Sequence, residues 1–136
     1  MSTFVLQLQD ALHHERIDAV ESFVGRDASG SFGLLAGHER FMTSLGFGLA
    51  RFHKAGAAWE YLAVPGALVA FRDNVLTLST RRYLRDSDYG RISALLVDQL
   101  AVEEQELAAI QQSLRQLEGE MLRRLWELTR QGEDAR

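Results

Sequence analysis

Two hydrophobic periods divide this chain. Up to about residue 85, apolar and polar positions alternate over short runs, the period-two pattern of half-buried strands. Phe4, Leu6 and Leu8 interleave with Val5, Gln7 and Gln9. Ile17 to Val24 is a second predicted strand, closed by Gly25 and by the turn cluster Asp27-Ala28-Ser29-Gly30. Phe32 to Leu35 and Phe41 to Leu45 flank Gly37-His38, and Phe47 to His53 and Trp59 to Val64 flank Lys54-Ala55-Gly56. Ala67 to Phe71 and Val75 to Thr80 face each other across Arg72-Asp73-Asn74, a short hairpin signal. Many short strands separated by glycine-bearing turns predict an all-β sandwich over residues 1–86.

After Asp86 the period changes. From Ser87 to Gln131 there is no proline, and glycine occurs only at Gly90 and Gly119. Positions 100, 103, 107, 110, 114, 117, 121, 124 and 128 step alternately by three and four; all are Leu, Ile or Met except Glu103 and Arg124. That is a heptad seam, and it predicts a helical tail over 87–131, with 132–136 as a disordered end. Ser87 or Asp88 is placed to cap its start. Asp98, Glu103, Glu104 and Glu106 lie in a stretch without basic residues, whereas Arg115, Arg123, Arg124 and Arg130 come later. An antiparallel hairpin broken near Glu103 to Glu106 would bring those blocks together. The lack of a Gly or Pro breaker there favours one long helix. The pattern leaves both forms open.

Composition narrows the function classes. The chain has 136 residues, 46% of them apolar, and no cysteine, which excludes disulfides and thiolate metal sites. The longest apolar run, Tyr61 to Phe71, has 11 residues and contains Pro65-Gly66, whereas a bilayer span needs about 20. Met1 to Gln9 lacks a basic n-region, so no signal peptide is expected and a cytoplasmic location is. The net charge of -4 is concentrated in the last third: residues 1–86 hold nine acids and nine bases, residues 87–136 ten acids and six bases. No continuous basic face offers itself to nucleic acid. His13 and His14 are adjacent, so on a strand they would point to opposite faces and fail to converge on a metal. No nucleophile, base and oxyanion donor assemble in the pattern, so the chain is read as non-catalytic, without a metal or resident cofactor.

The stretch Gly30 to Thr43 reads GSFGLLAGHERFMT. It resembles the loop of the epsilon subunit of rotary F-type ATP synthases, whose usual form is Gly-x-Leu-Gly-Ile-x-Pro-Gly-His-x-x-Leu-x-Thr. A Tyr61-Leu62 step and the strand Asn74-Val75-Leu76-Thr77-Leu78 follow in the family's order, and the likeness covers nearly the whole chain. Three departures stand out: Ala36 where the family has Pro, Ala63-Val64-Pro65-Gly66 where it has a Gly-Gly step, and Arg40 where a Leu or Phe is expected two residues after His38. They suggest a divergent branch, with the alternative N-type ATPase that is proposed to move sodium as one candidate.

The resemblance implies a central-stalk rotor subunit whose sandwich couples the gamma subunit to the c-ring. Its tail would reach the catalytic alpha and beta subunits and inhibit ATP hydrolysis. It also implies a peripheral place at the cytoplasmic face of the bacterial inner membrane, held through the complex. By carry-over, Gly30, Ser31, Phe32, Gly33, Gly37 and His38 form the c-ring and gamma interface, with the Phe32 ring either an anchor for a partner or a plug for the sandwich. Arg115, Arg123, Arg124 and Arg130 would make the inhibitory contacts. Some relatives bind ATP as a regulatory ligand through an Ile/Leu-Asp-x-x-Arg-Ala motif, of which Asp88 and Arg91 remain here. Those two either hold ATP or, more simply, cap the helix and pair with each other. The glycines are no phosphate cradle, because no Gly-Lys-Ser/Thr follows. Rival readings are a stand-alone sandwich and coiled-coil interaction module, an ATP-binding regulatory sensor, and a hydrolytic enzyme with a dispersed site.

Overall fold

The computed structural model describes residues 2–134. Among them are nine strands: β1 (Phe4–Gln9), β2 (His14–Asp27), β3 (Gly30–Leu35), β4 (Phe41–Leu45), β5 (Gly48–Lys54), β6 (Glu60–Val64), β7 (Ala67–Arg72), β8 (Val75–Thr80) and β9 (Leu84–Asp86). Helix α1 (Tyr89–Leu95), a π-helical turn (Leu96–Ala101) and helix α2 (Val102–Asp134) follow. The strand-rich part precedes the helical part, as the two periods predict.

The strand order is β4-β7-β8-β1-β2-β5-β6-β9, with β3 also on β2. Every pairing is antiparallel except β1 with β8. The long strand β2 serves both layers of the sandwich. Its first half pairs with β1, and from Val20 onward it pairs with β5 and then β3. The change falls at a bulge: the register shifts on both sides of β2 there, and Ala19 has φ 58°. Polar residues lead into β2 ahead of Ile17, so alternation alone underestimates its length.

Alternate residues of each strand meet between the layers. Phe4, Leu6 and Leu8 from β1 pack with Phe23, Phe52, Phe71, Leu76 and Leu78 in one cluster. Phe4 and Phe71 meet edge to face at 5.4 Å. A second, smaller cluster lies on the outer face: Ala63 of β6 is covered by Ile92 and Leu100, all three fully buried, with Leu49, Tyr61, Leu84 and Leu96 around them. The start of the helical region therefore packs back on the sheet. One compact unit ends at Ala101 and another begins at Val102.

Within the second unit, α2 runs unbroken for 33 residues, a single long helix with no hairpin turn. The break that a hairpin would need near Glu103 to Glu106 is absent, and a π-helical turn stands upstream at Leu96–Ala101. The seam residues Ile110, Leu114, Leu117, Met121 and Leu128 are exposed along α2. The helix is described to Asp134, and the last two residues of the expected disordered end lie outside the described residues.

Candidate interface loop and helix junction

Strand β3 and the turn after it carry the residues singled out by the resemblance. In the turn Leu35-Ala36-Gly37-His38 the His38 amide donates to the Leu35 carbonyl at 3.2 Å. Gly37 sits third with φ 79°, the left-handed value a type II turn requires there. Ala36 occupies the second position, where proline is favoured, so the turn survives the loss of the family's Pro. A second anchor comes from far along the chain: the Gly37 amide donates to Asn74 Oδ1 at 2.7 Å. Asn74 itself, with φ 58°, and Asp73, with φ 51°, form the two-residue β7–β8 hairpin turn.

The aromatic residues of the loop converge on Phe41. Its ring lies 5.2 Å from Phe32 and 5.7 Å from His38, and His38 also meets Phe71 edge to face at 5.9 Å. His38 is exposed, and its Nδ1 is 2.8 Å from the Glu39 carbonyl. Phe32 is half-buried, with its ring packed on the core and 6.4 Å from Phe23, so it plugs the sandwich. This packing depends on Gly25, paired with Phe32 across the β2–β3 ladder. A Cβ there would stand 2.8 Å from Phe32 Cζ, 3.0 Å from Leu45 and 3.1 Å from Phe23. Gly30 begins β3 opposite Asp27, and Ser31 and Gly33 are exposed along the strand. The Asp27 carboxylate accepts from the hydroxyls of Ser29 and Thr43, which hold it below the usual carboxylate range. Thr43, the last residue of the motif, thereby ties β4 to the β2–β3 hairpin.

The junction residues have local duties. Asp88 is the N-cap of α1 and accepts from the Arg91 amide at 3.0 Å. The Arg91 side chain does not pair with Asp88. It grips Asp86 with two donors, Nε to Oδ2 at 2.6 Å and Nη2 to Oδ1 at 3.0 Å. Residues 86–88 are not helical, so the i,i+3 spacing that would join Arg91 to Asp88 does not apply. The hydrogen bonds from Arg91, then that from the Asp88 amide, pull the Asp86 pKa down to about 2.

On α2, Arg115, Arg123, Arg124 and Arg130 are all exposed. Arg123 and Arg124 share a shallow surface with Glu120 and Glu127, and Arg130 lies over the Trp126 ring at 5.4 Å. His13 precedes β2 and has Asp10 as its neighbour at 3.2 Å. Among the described residues no group of three or more His, Asp and Glu side chains gathers to hold a metal ion.

A polar clamp escaped the sequence reading. Arg85 of β9 bonds Glu15 of β2 at 2.8 Å and Glu60 of β6 at 2.9 Å, with its guanidinium over Phe52. The Tyr83 hydroxyl donates to Glu15 at 2.6 Å; partial burial, then this bond, raises its pKa above the ordinary tyrosine value. Nothing in the spacing of these four residues announces the clamp, because β9 has only three residues.

A two-layer sandwich with a glycine-punctuated third strand and turn, followed by helix, fits one class, the stalk subunits of rotary ATP synthases. The chain belongs to the ATP synthase delta/epsilon chain family, whose beta-sandwich domain matches residues 12–86. Membership makes it a non-catalytic, central-stalk subunit of the F-type enzyme. It is 29% identical over 107 residues to ATP synthase epsilon chain 2 of Cereibacter sphaeroides, covering 78% of this chain and 68% of that one. To the ATP synthase epsilon chain of Caldicellulosiruptor saccharolyticus it is 35% identical over 81 residues, covering 57% of this chain and 56% of the relative.

Solved structures share the fold. A chain of the Euglena gracilis mitochondrial ATP synthase (OSCP/F1/c-ring) superposes with a TM-score of 0.58 at 20% identity, covering 74% of this chain and 66% of that one. A chain of the Tetrahymena thermophila mitochondrial ATP synthase central stalk and c-ring gives 0.53 at 10% identity, covering 62% of this chain and 69% of that one. No described helix here is long and apolar enough to cross a membrane.

Proposed function

We propose that this chain works as an epsilon subunit of the rotor, with its sandwich coupling gamma to the c-ring during ion-driven ATP synthesis. The observation that carries the reading is the family match from residue 12 to residue 86, which takes in every strand from β2 to β9. The anchored turn supports it: Gly37 and His38 are held by Asn74, Phe41 and Phe71 and still reach the surface. In this reading Ser31, Gly33 and His38 supply exposed interface, Gly30 and Gly37 shape the backbone, and Phe32 supports the loop from inside. Helix α2 is the regulatory tail, whose exposed seam and Arg115, Arg123, Arg124 and Arg130 meet the catalytic alpha and beta subunits and restrain hydrolysis. The complex holds the chain at the cytoplasmic face of a bacterial inner membrane. The reading includes no regulatory nucleotide, since ATP at Asp88 and Arg91 would have to displace the cap and the Asp86 pair.

Co-purification of the full chain with its gamma subunit and c-ring tests the coupling role, and failure to assemble refutes it. ATPase assays of the complex after removing α2 beyond Ala101 test the latch. Faster hydrolysis on truncation is expected; an unchanged rate removes the latch and keeps the coupling role.

A further inference from the structure

The outer face of the β2–β5–β6 layer carries a groove of about 330 Å³, bordered by Ser31 of β3 and by Tyr89 at the start of α1. Tyr61 and Tyr89 meet edge to face at 5.3 Å along one side, and Arg26, Arg51 and Ser31 complete its polar lining. The lining contains no acid, although the chain carries a net charge of -4. Arg51 is held over the Trp59 ring at 4.6 Å, and among the described residues neither Arg26 nor Arg51 has a carboxylate partner.

The sheet register sets the spacing of the two cations. Val24 pairs with Arg51, so Arg26 lies two residues on, on the same face and diagonal to Arg51. Diagonal neighbours in an antiparallel pair stand about 7–8 Å apart along the backbone. An extended chain repeats side chains on one face at about 6.5–7 Å, two residues at about 3.3 Å each. Carboxylates at positions i and i+2 of an extended segment therefore match the spacing of the two arginine positions along the sheet, and the hydroxyls of Tyr61, Tyr89 and Ser31 add donors.

We propose that this groove docks an extended acidic segment of a partner protein, with carboxylates two residues apart seated on Arg26 and Arg51. The groove shares Ser31 with the rotor interface, but the inference does not require the rotor reading. The test uses the full chain carrying Trp126→Phe, which leaves Trp59 as the single fluorescent reporter beside the groove. It is titrated at low salt with the peptide Thr-Glu-Thr-Glu-Thr, with a peptide of the same charge whose two Glu residues are adjacent, and with inorganic phosphate. The spaced peptide is expected to bind saturably and at least three times more tightly than the adjacent one. Arg26→Gln should weaken it tenfold or more, and Arg40→Gln, in the exposed loop outside the groove, less than twofold. Should Arg26→Gln disturb the circular dichroism spectrum, Arg26→Lys decides instead, since it keeps the charge, loses the fork and should weaken binding about threefold. No saturable binding, equal affinity for the two peptides, a response to phosphate as strong as to the spaced peptide, or indifference to the Arg26 variants overturns the proposal.

Discussion

Replacing Gly25 by alanine is the sharpest test of what Phe32 does. The new methyl would stand 2.8 Å from Phe32 Cζ, 3.0 Å from Leu45 Cδ2 and 3.1 Å from Phe23 Cε1. Leu45 and Phe23 are buried in the sandwich core and have little room to yield, so the half-buried Phe32 ring must move outward. Overpacking of this kind costs about 1–3 kcal/mol, while the stiffer unfolded chain of an alanine variant returns about 0.4–1 kcal/mol. The net expectation is a loss of about 1–2 kcal/mol. For a unit near 100 residues that is a drop in Tm of about 4 °C or more. Urea unfolding of the isolated chain, read through Trp59 with Trp126→Phe as background, measures it. Phe32→Ala alone should cost roughly 2 kcal/mol, about half the price of truncating a fully buried phenylalanine. Adding Gly25→Ala to Phe32→Ala should then cost about 1 kcal/mol less than in the parent, the mark of two residues in contact. If Gly25→Ala is neutral, or costs the same with and without the Phe32 ring, Phe32 does not plug the sandwich and its anchor role for a partner regains its place.

Three further expectations follow from the same geometry. Ala36→Pro restores proline to the second position of the turn and should raise stability by about 0.4–1 kcal/mol, read as a higher urea midpoint; a lower midpoint would show that the Ala36 backbone does not suit proline. Asn74→Gly keeps the left-handed backbone but removes the acceptor for the Gly37 amide, at a cost of about 0.5–1.5 kcal/mol; Asn74→Ala should lose about 1 kcal/mol more because its φ is 58°. The Asp86 pKa falls from its ordinary value of 3.8 to about 2, so the folded state holds that proton less readily than the unfolded one. Its stabilising contribution is thus present above pH about 4 and is lost as pH falls toward about 2. Asp86→Asn should flatten that part of the acid-stability curve, and an unchanged curve would mean that the Arg91 pair contributes nothing.

Much of the sandwich was legible because alternation reports which face of a strand is buried, and the strands with clean alternation, such as β1, β7 and β8, were bounded to within a residue or two. What alternation cannot report is the partner of a buried face. Leu100 read as the first position of the tail seam, yet its side chain is buried with Ile92 over Ala63. Ala63 is small and apolar in a strand that is buried on both faces, and nothing local distinguishes such a residue from an ordinary core alanine. β9 was missed for another reason: three residues are too few to show a period, and its Arg85 clamp reaches across 70 positions to Glu15. At the candidate site, the Gly37 turn was readable from its glycine. Its tether to Asn74 was not, because an amide side chain in one turn gives no sign of the other turn it serves.

The end of the sandwich unit at Ala101 also decides how a tail-removal experiment must be cut. Truncation after Asp86, where the strand pattern stops, would remove Ile92 and Leu100, both fully buried, and would uncover Ala63, Tyr61 and Leu84. Each of those two side chains represents about 1.5–3 kcal/mol of gross burial, part of which the ordering of the α1 region takes back. It would also free Asp86 from Arg91. A chain ending at Asp86 should therefore unfold at a lower temperature than the full chain and bind a dye for exposed apolar surface, while a chain ending at Ala101 should do neither. If the two truncated chains melt together, the cover formed by α1 and the π-helical turn contributes no net stability. If they differ as expected, faster ATP hydrolysis by a complex cut after Asp86 has two explanations, a released latch or a loosened rotor subunit. The cut after Ala101 leaves only the first.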